Sequence, residues 1–150
     1  SPTMLKGGDW IVAAVHYHRN MSRQAMTRRI IRALDTGVVH ALAHPSGRII
    51  GSREPLELDL DEIARAAVAN HVAFEINGQP TRVDLNDKAI EIVERHAVNF
   101  VVASDAHSHH ELDFIKYAVN QARRGGLSPE RIVNTRPQLG KINAKIAAYR

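Results

Sequence analysis

Four apolar, β-branched runs recur along the chain: Trp10–Val15 (WIVAAV), Val38–Ala43 (VVHALA), Val72–Asn77 (VAFEIN) and Asn99–Ser104 (NFVVAS). Each is close to continuously apolar, the pattern of a strand covered on both faces. Between the runs the apolar period lengthens to that of a helix. Ser22 is placed to cap a helix that carries Met26, Ile30 and Leu34 on one face and closes at Gly37. LDLDEIARAAVAN sets Leu60, Ile63, Ala67 and Val68 on a stripe, with acids in the first turn where the helix dipole favours them. NDKAIEIVERHA starts at an Asn-Asp cap and turns Ala89, Ile90, Val93 and Ala97 inward. ELDFIKYAVNQARRGG spaces Ile115, Ala118, Val119 and Ala122 helically and stops at Gly125-Gly126. A short helix capped by Ser128, with Pro129 at its first position, and a C-terminal helix in KINAKIAAY complete the pattern.

Strand–helix alternation at intervals of roughly 25–35 residues predicts an α/β fold with parallel strands and right-handed crossovers. Four strands are too few to close a barrel, which takes about eight. Neither a linker nor a close repeat divides the chain.

The residues that follow the strands carry the chemistry. His16 and His18 follow the first run and His44 the second. Glu75 and Asn77 end the third, and Asp105, His107, His109 and His110 follow the fourth. In α/β proteins the C-terminal strand ends share one edge, where side chains from several strands converge. His16, His44, Asp105 and His107 are therefore expected to share a metal site, with His18 either a ligand or part of its rim. Asp105 and His107 are two apart and would point to one side in extended backbone. Imidazole and carboxylate suit Zn²⁺ or Mn²⁺, ions that activate water and clamp phosphoryl oxygens. Arg48, Arg53 and Arg82 lie on the following loops, where a guanidinium can grip a phosphate bidentately. The remaining histidines have blander readings. His71 and His96 belong to the surface or to a satisfied core position, His40 packs against a helix, and His109 and His110 face solvent.

Composition narrows the classes. The 150 residues make one domain's worth of chain, 44% apolar, with a net charge of +4 that permits a phosphorylated partner without requiring one. There is no cysteine, so disulfides and thiolate zinc sites are excluded, in keeping with a cytoplasmic protein. No apolar run nears the roughly 20 residues that span a bilayer, and SPTMLKGGDW has no signal-peptide core. Position 1 is not Met, so the chain reads as a piece of something longer. No P-loop or GxSxG elbow occurs, and the HEL at His110 lacks the second histidine of a metalloprotease helix.

The strings DWIVAAVH, ALAHPSGR, REPLELDLDEIARAA, EINGQPTRVDLND, VVASDAHS and ARRGGLSPERIVNTRP together resemble the C-terminal part of a polymerase-and-histidinol-phosphatase (PHP) domain. The resemblance is strongest to the PHP domain of bacterial family-X DNA polymerases and runs from about Asp9 to about Pro137. It implies part of a distorted seven-stranded, TIM-like (β/α) barrel with a three-metal centre of Mn²⁺ or Zn²⁺ on its C-terminal rim. It also implies metal-dependent phosphoester hydrolysis, as 3′→5′ exonuclease or end-processing action on DNA. By the same resemblance His16 and His44 are ligands of one metal, Asp105 of a second and His107 of a third. Asn77 and Arg82 match positions near the site, and with Arg48 they are expected at the substrate phosphate.

The family's opening His-x-His motif, a further early histidine and a bridging glutamate are expected upstream of Asp9. Tyr17 and His18 stand where the family has small or other residues. Residues 1–150 are thus expected to be a partial PHP domain, weak in metal binding and catalysis on its own. Its expected partners are DNA ends or another phosphoester, and the upstream PHP and polymerase segments of a parent chain, with no membrane. Two alternatives remain open: a non-catalytic remnant that positions DNA, and a monoesterase like the histidinol-phosphate phosphatases.

Overall fold

The computed structural model describes residues 5 and 7–135. The C-terminal helix expected in KINAKIAAY lies outside the described residues. The elements run β1 (Val12–Ala13), α1 (Arg23–Leu34), β2 (Ala41–Leu42), α2 (Leu60–Ala69), β3 (Ala73–Asn77), α3 (Asp87–Glu94) and β4 (Phe100–Ala103). A 3₁₀ turn (His109–Phe114) then leads into α4 (Ile115–Arg124), and the short 3₁₀ turns Pro129–Arg131 and Val133–Thr135 follow.

The four strands form one parallel sheet in the order β1-β2-β3-β4. Val12 sits opposite Ala41, Ala41 opposite Ala73, and Phe74 opposite Phe100. Sequential order has a geometric consequence. Right-handed crossovers between successive neighbours put every helix on the same face of the sheet, which is the arrangement of an arc of a TIM-like barrel. The helices accordingly pack in sequence, α1 on α2, α2 on α3 and α3 on α4, while α4 also covers β3 and β4.

Local chemistry starts the first three helices. Ser22 Oγ accepts the Ala25 N–H at 3.4 Å, an Asp59 carboxylate oxygen that of Glu62 at 3.0 Å, and Asn86 Oδ1 that of Ala89 at 2.8 Å. Each bond satisfies a backbone donor that the first turn leaves unpaired. Met26, Ile30 and Leu34 from α1, Ile63 and Ala67 from α2, and Ile90 and Val93 from α3 are buried against Phe74, Ile76 and Phe100 of the sheet. Gly37 adopts φ +68 just beyond α1, donating its N–H to Leu34 O.

Some expected inward positions differ. Val68 is 42% exposed, because Ala64 takes the inner place on α2 beside Ile63 and Ala67. Ala97 is exposed: α3 ends at Glu94, and Ala97 lies in the turn behind it at φ +59. The inner face of α4 is Ala118, Gln121 and Ala122, while Ile115 lies outside it, 37% exposed. Ser128 takes the cap position of a 3₁₀ turn rather than of an α-helix, and its side chain makes no capping bond.

The first apolar run is not covered on both faces. Among the described residues β1 is an edge strand, with Val12 49% exposed. His40 packs against this edge rather than a helix: its Nδ1 accepts the Ile11 N–H at 2.9 Å and its ring stacks 5.4 Å from that of Trp10. No helix among the described residues is long and apolar enough to cross a membrane.

Candidate active site

Parallel strands put the residues after Ala13, Leu42, Asn77 and Ala103 on one edge of the sheet. There the imidazoles of His16 and His44 meet edge to face, ring centroids 5.2 Å apart. His16 is exposed, whereas His44 is 7% exposed at the inner end of the pair. His44 Nδ1 is buried without a hydrogen-bond partner. Burial, and then the positive charge of Arg82, pull the His44 imidazole down to about 4. It is therefore neutral near pH 7, with a ring nitrogen free to donate a lone pair.

Two buried carboxylates shape the turn beneath. The Glu75 carboxylate, on the central strand β3, accepts the His44 backbone N–H at 2.6 Å and the Asn77 side-chain amide at 3.1 Å. Burial pushes its carboxyl above the ordinary range, and Asp105 and Asp84 nearby add to that rise against the two hydrogen bonds. Asp84 is fully buried and accepts the N–H groups of Ser46 and Gly47 at 3.3 and 2.8 Å. Burial raises its carboxyl as well, against the pull of those bonds and of Arg48. Together the two acids fix the HPSGR turn from below.

The other expected residues fall into place unevenly. Asp105 leaves β4 at φ +54, so the strand's alternation stops there, and its carboxylate lies 3.6 Å from Arg82 Nε. Arg82 Nη1 is buried and unpaired. His107 points out to solvent, its side chain 75% exposed; its Nδ1 lies 2.8 Å from Asp105 O, and its N–H donates to Glu111. His18 also breaks the alternation, at φ +52, and lines an open cleft beside His16. His109 and His110 are exposed, as expected, and His96 pairs with Asp61 at 2.7 Å.

Two of the residues expected at a phosphate are committed elsewhere. Arg48 donates from Nε to Arg82 O at 2.7 Å and from Nη2 to Val83 O, so it braces two loops together. Asn77 is fully buried, its amide on Glu75 and its Oδ1 accepting the Gln79 N–H. It acts on the site through Glu75.

Arg19 and Asp84 also shape the site, although neither directly ends a strand. Arg19 lies over Gly47: its Nη1 is 2.4 Å from the point where a β-carbon on Gly47 would stand. The one signal for it was the glycine in HPSGR, which a sequence alone ties to a turn rather than to a guanidinium. In kind, two imidazoles, a carboxylate and an orphaned buried Nδ1 fit a divalent cation. In number they fall short: no group of three or more His, Asp or Glu among the described residues is arranged to hold a metal ion.

The chain is 32% identical over 128 residues to the DNA polymerase/3′-5′ exonuclease PolX of Bacillus subtilis, a match covering 85% of this chain and 22% of that protein. It is 27% identical over 140 residues to a probable phosphatase of Syntrophotalea carbinolica, covering 87% of this chain and 56% of that protein. A probable phosphatase of Tolumonas auensis is 28% identical over 144 residues, 91% of this chain and 56% of its own length. The chain thus spans about a fifth of the polymerase and somewhat over half of each phosphatase. No protein-family model matches it.

Proposed function

We propose that this chain is of the PHP type and forms part of a metal-dependent phosphoesterase site, a reading its similarity to the polymerase/exonuclease and to the probable phosphatases supports. In its most specific form the activity is 3′→5′ exonuclease or end-processing action on DNA. The observation that carries the reading is the convergence of His16 and His44, from the ends of different strands, with the buried His44 Nδ1 left unpaired. His16, His44 and Asp105 would contribute ligands from this chain, with His107 and His18 at the exposed margin. A divalent cation held there would polarise the substrate's phosphoryl group and acidify a water.

This chain's own residues prepare the place. Glu75 orients His44 through its backbone N–H, and Asp84 fixes the turn that follows. Arg82, beside Asp105 and with a buried Nη1 left unpaired, would turn a charged donor to a phosphate oxygen. Arg48 keeps Arg82 in place by holding its backbone carbonyl.

The test uses protein carrying this chain, supplied with Mn²⁺ or Zn²⁺, on 3′-labelled DNA and on phenyl phosphate. Metal-dependent release of nucleotides from DNA, abolished by EDTA and by His44→Ala, is the expected result. Equal rates for parent and variant would refute it. Hydrolysis of phenyl phosphate alone would move the substrate to the monoesters. DNA binding with neither metal uptake nor hydrolysis would leave a non-catalytic module.

A further inference from the structure

We propose that the cleft beside His16 holds one nucleotide unit of the substrate, with Tyr17 stacked on its base and Arg19 paired with its phosphate. The inference rests on the phosphoesterase reading and assigns a subsite for one unit of its DNA substrate.

The cleft is open, about 830 Å³, and lined by His16, Tyr17, His18, Arg19, Asn20 and neighbouring side chains. That volume lies within the roughly 300–1,000 Å³ of small-ligand sites. Tyr17 displays its ring on the rim, 76% exposed. Its backbone is pinned: Arg29 Nη1 donates to Tyr17 O at 2.9 Å and to His18 O at 3.2 Å. An aromatic ring presented from a fixed backbone contributes nothing to the core, but it is what an unpaired base stacks on. The ring of Tyr17 lies 6.4 Å from that of His16, so a stacked base would place its phosphate close to the candidate metal edge.

Arg19 supplies the second half. Its guanidinium occupies the space over Gly47 that any larger residue would fill. Arg53 donates to the carbonyl of the same glycine at 2.9 Å, so two guanidinium groups approach one residue. The hydrogen bond Arg19 makes is long, 3.5 Å to Val15 O, and no carboxylate pairs with it at ion-pair distance among the described residues. Burial and the neighbouring charges of Arg53 and Arg82 pull its guanidinium below the ordinary value, partly opposed by Asp84. A guanidinium with cations for neighbours and no carboxylate of its own at ion-pair distance is the setting an anion relieves. A phosphate monoester without a ring would need the arginine but has no use for the tyrosine.

The test is fluorescence anisotropy of a labelled ten-residue oligothymidine with the 150-residue chain in EDTA at low salt. Tyr17→Ala should weaken binding about tenfold and Tyr17→Phe less than about twofold, since stacking needs the ring and not the hydroxyl. Arg19→Gln should weaken binding and lower the slope of log affinity against log salt by about one. Thermal unfolding should be unchanged for Tyr17→Ala, given the exposure of the ring. Binding by Tyr17→Ala equal to the parent, or no oligonucleotide binding by the parent, would overturn the inference. Neither result bears on metal-dependent hydrolysis, which the His44→Ala assay decides separately.

Discussion

Replacing Glu75 is the sharpest probe of how this rim is held. Glu75 is 8% exposed, and its carboxylate takes two donors, the His44 N–H and the Asn77 amide. Glu75→Ala leaves both buried with no acceptor, and each orphaned donor costs about 1–3 kcal/mol. Loss of the charge also relieves repulsion from Asp105 and Asp84, which offsets part of that cost. The net expectation is a loss of about 2–3 kcal/mol, read as a lower urea midpoint with an unchanged slope.

Glu75→Gln keeps an acceptor of the same shape and should lose only about 1 kcal/mol. It should also change the pH dependence. Because burial holds the native carboxyl above its ordinary value, the native state binds that proton more tightly than the unfolded chain. Ionisation of Glu75 therefore weakens the fold as pH rises from the ordinary carboxylate value through the raised one. The variant should lack that slope. Midpoints for Glu75→Ala within about 0.5 kcal/mol of the parent, the range of ordinary surface changes, would refute the idea that this acid supports the His44 turn.

His44 should give the opposite slope: with its imidazole at about 4, the native state resists protonation, so stability falls as pH drops from about 6.5 towards 4. The shift corresponds to at most about 3 kcal/mol, and to less where water reaches the rim. Urea titrations across that range should show the loss, and His44→Gln should abolish it. Gly47→Ala meets a backbone at φ +60 and the Arg19 guanidinium at 2.4 Å. It should cost about 1–2 kcal/mol and displace Arg19, so calorimetry should report a lower melting temperature and the oligonucleotide assay a smaller salt slope.

Much of this architecture was legible in the residue pattern because helix caps and apolar periods are local. Ser22 and Asn86 act as caps, and the runs around Leu42, Phe74 and Phe100 form the sheet. Val68 misled because Ala64 and Val68 are both apolar and lie one turn apart, and only packing decides which is inside. Ala97 misled because the helical period runs past the point where the backbone turns. At the site, the convergence of His16 and His44 followed from strand order. The commitments of Arg48 and Asn77 did not, since a side chain's hydrogen-bond partners depend on loops distant in sequence. Arg19 was invisible for the same reason.

Three residues at the strand ends, His18, His44 and Asp105, hold left-handed backbone at φ 52, 30 and 54, where glycine would sit without strain. A chain shaped for an unstrained backbone alone would have glycine at all three. Glycine there should therefore relax the scaffold while emptying it of donors, so thermostability and reactivity pull these positions in opposite directions. A consensus-style stabilisation of this protein would have to leave its least comfortable residues alone.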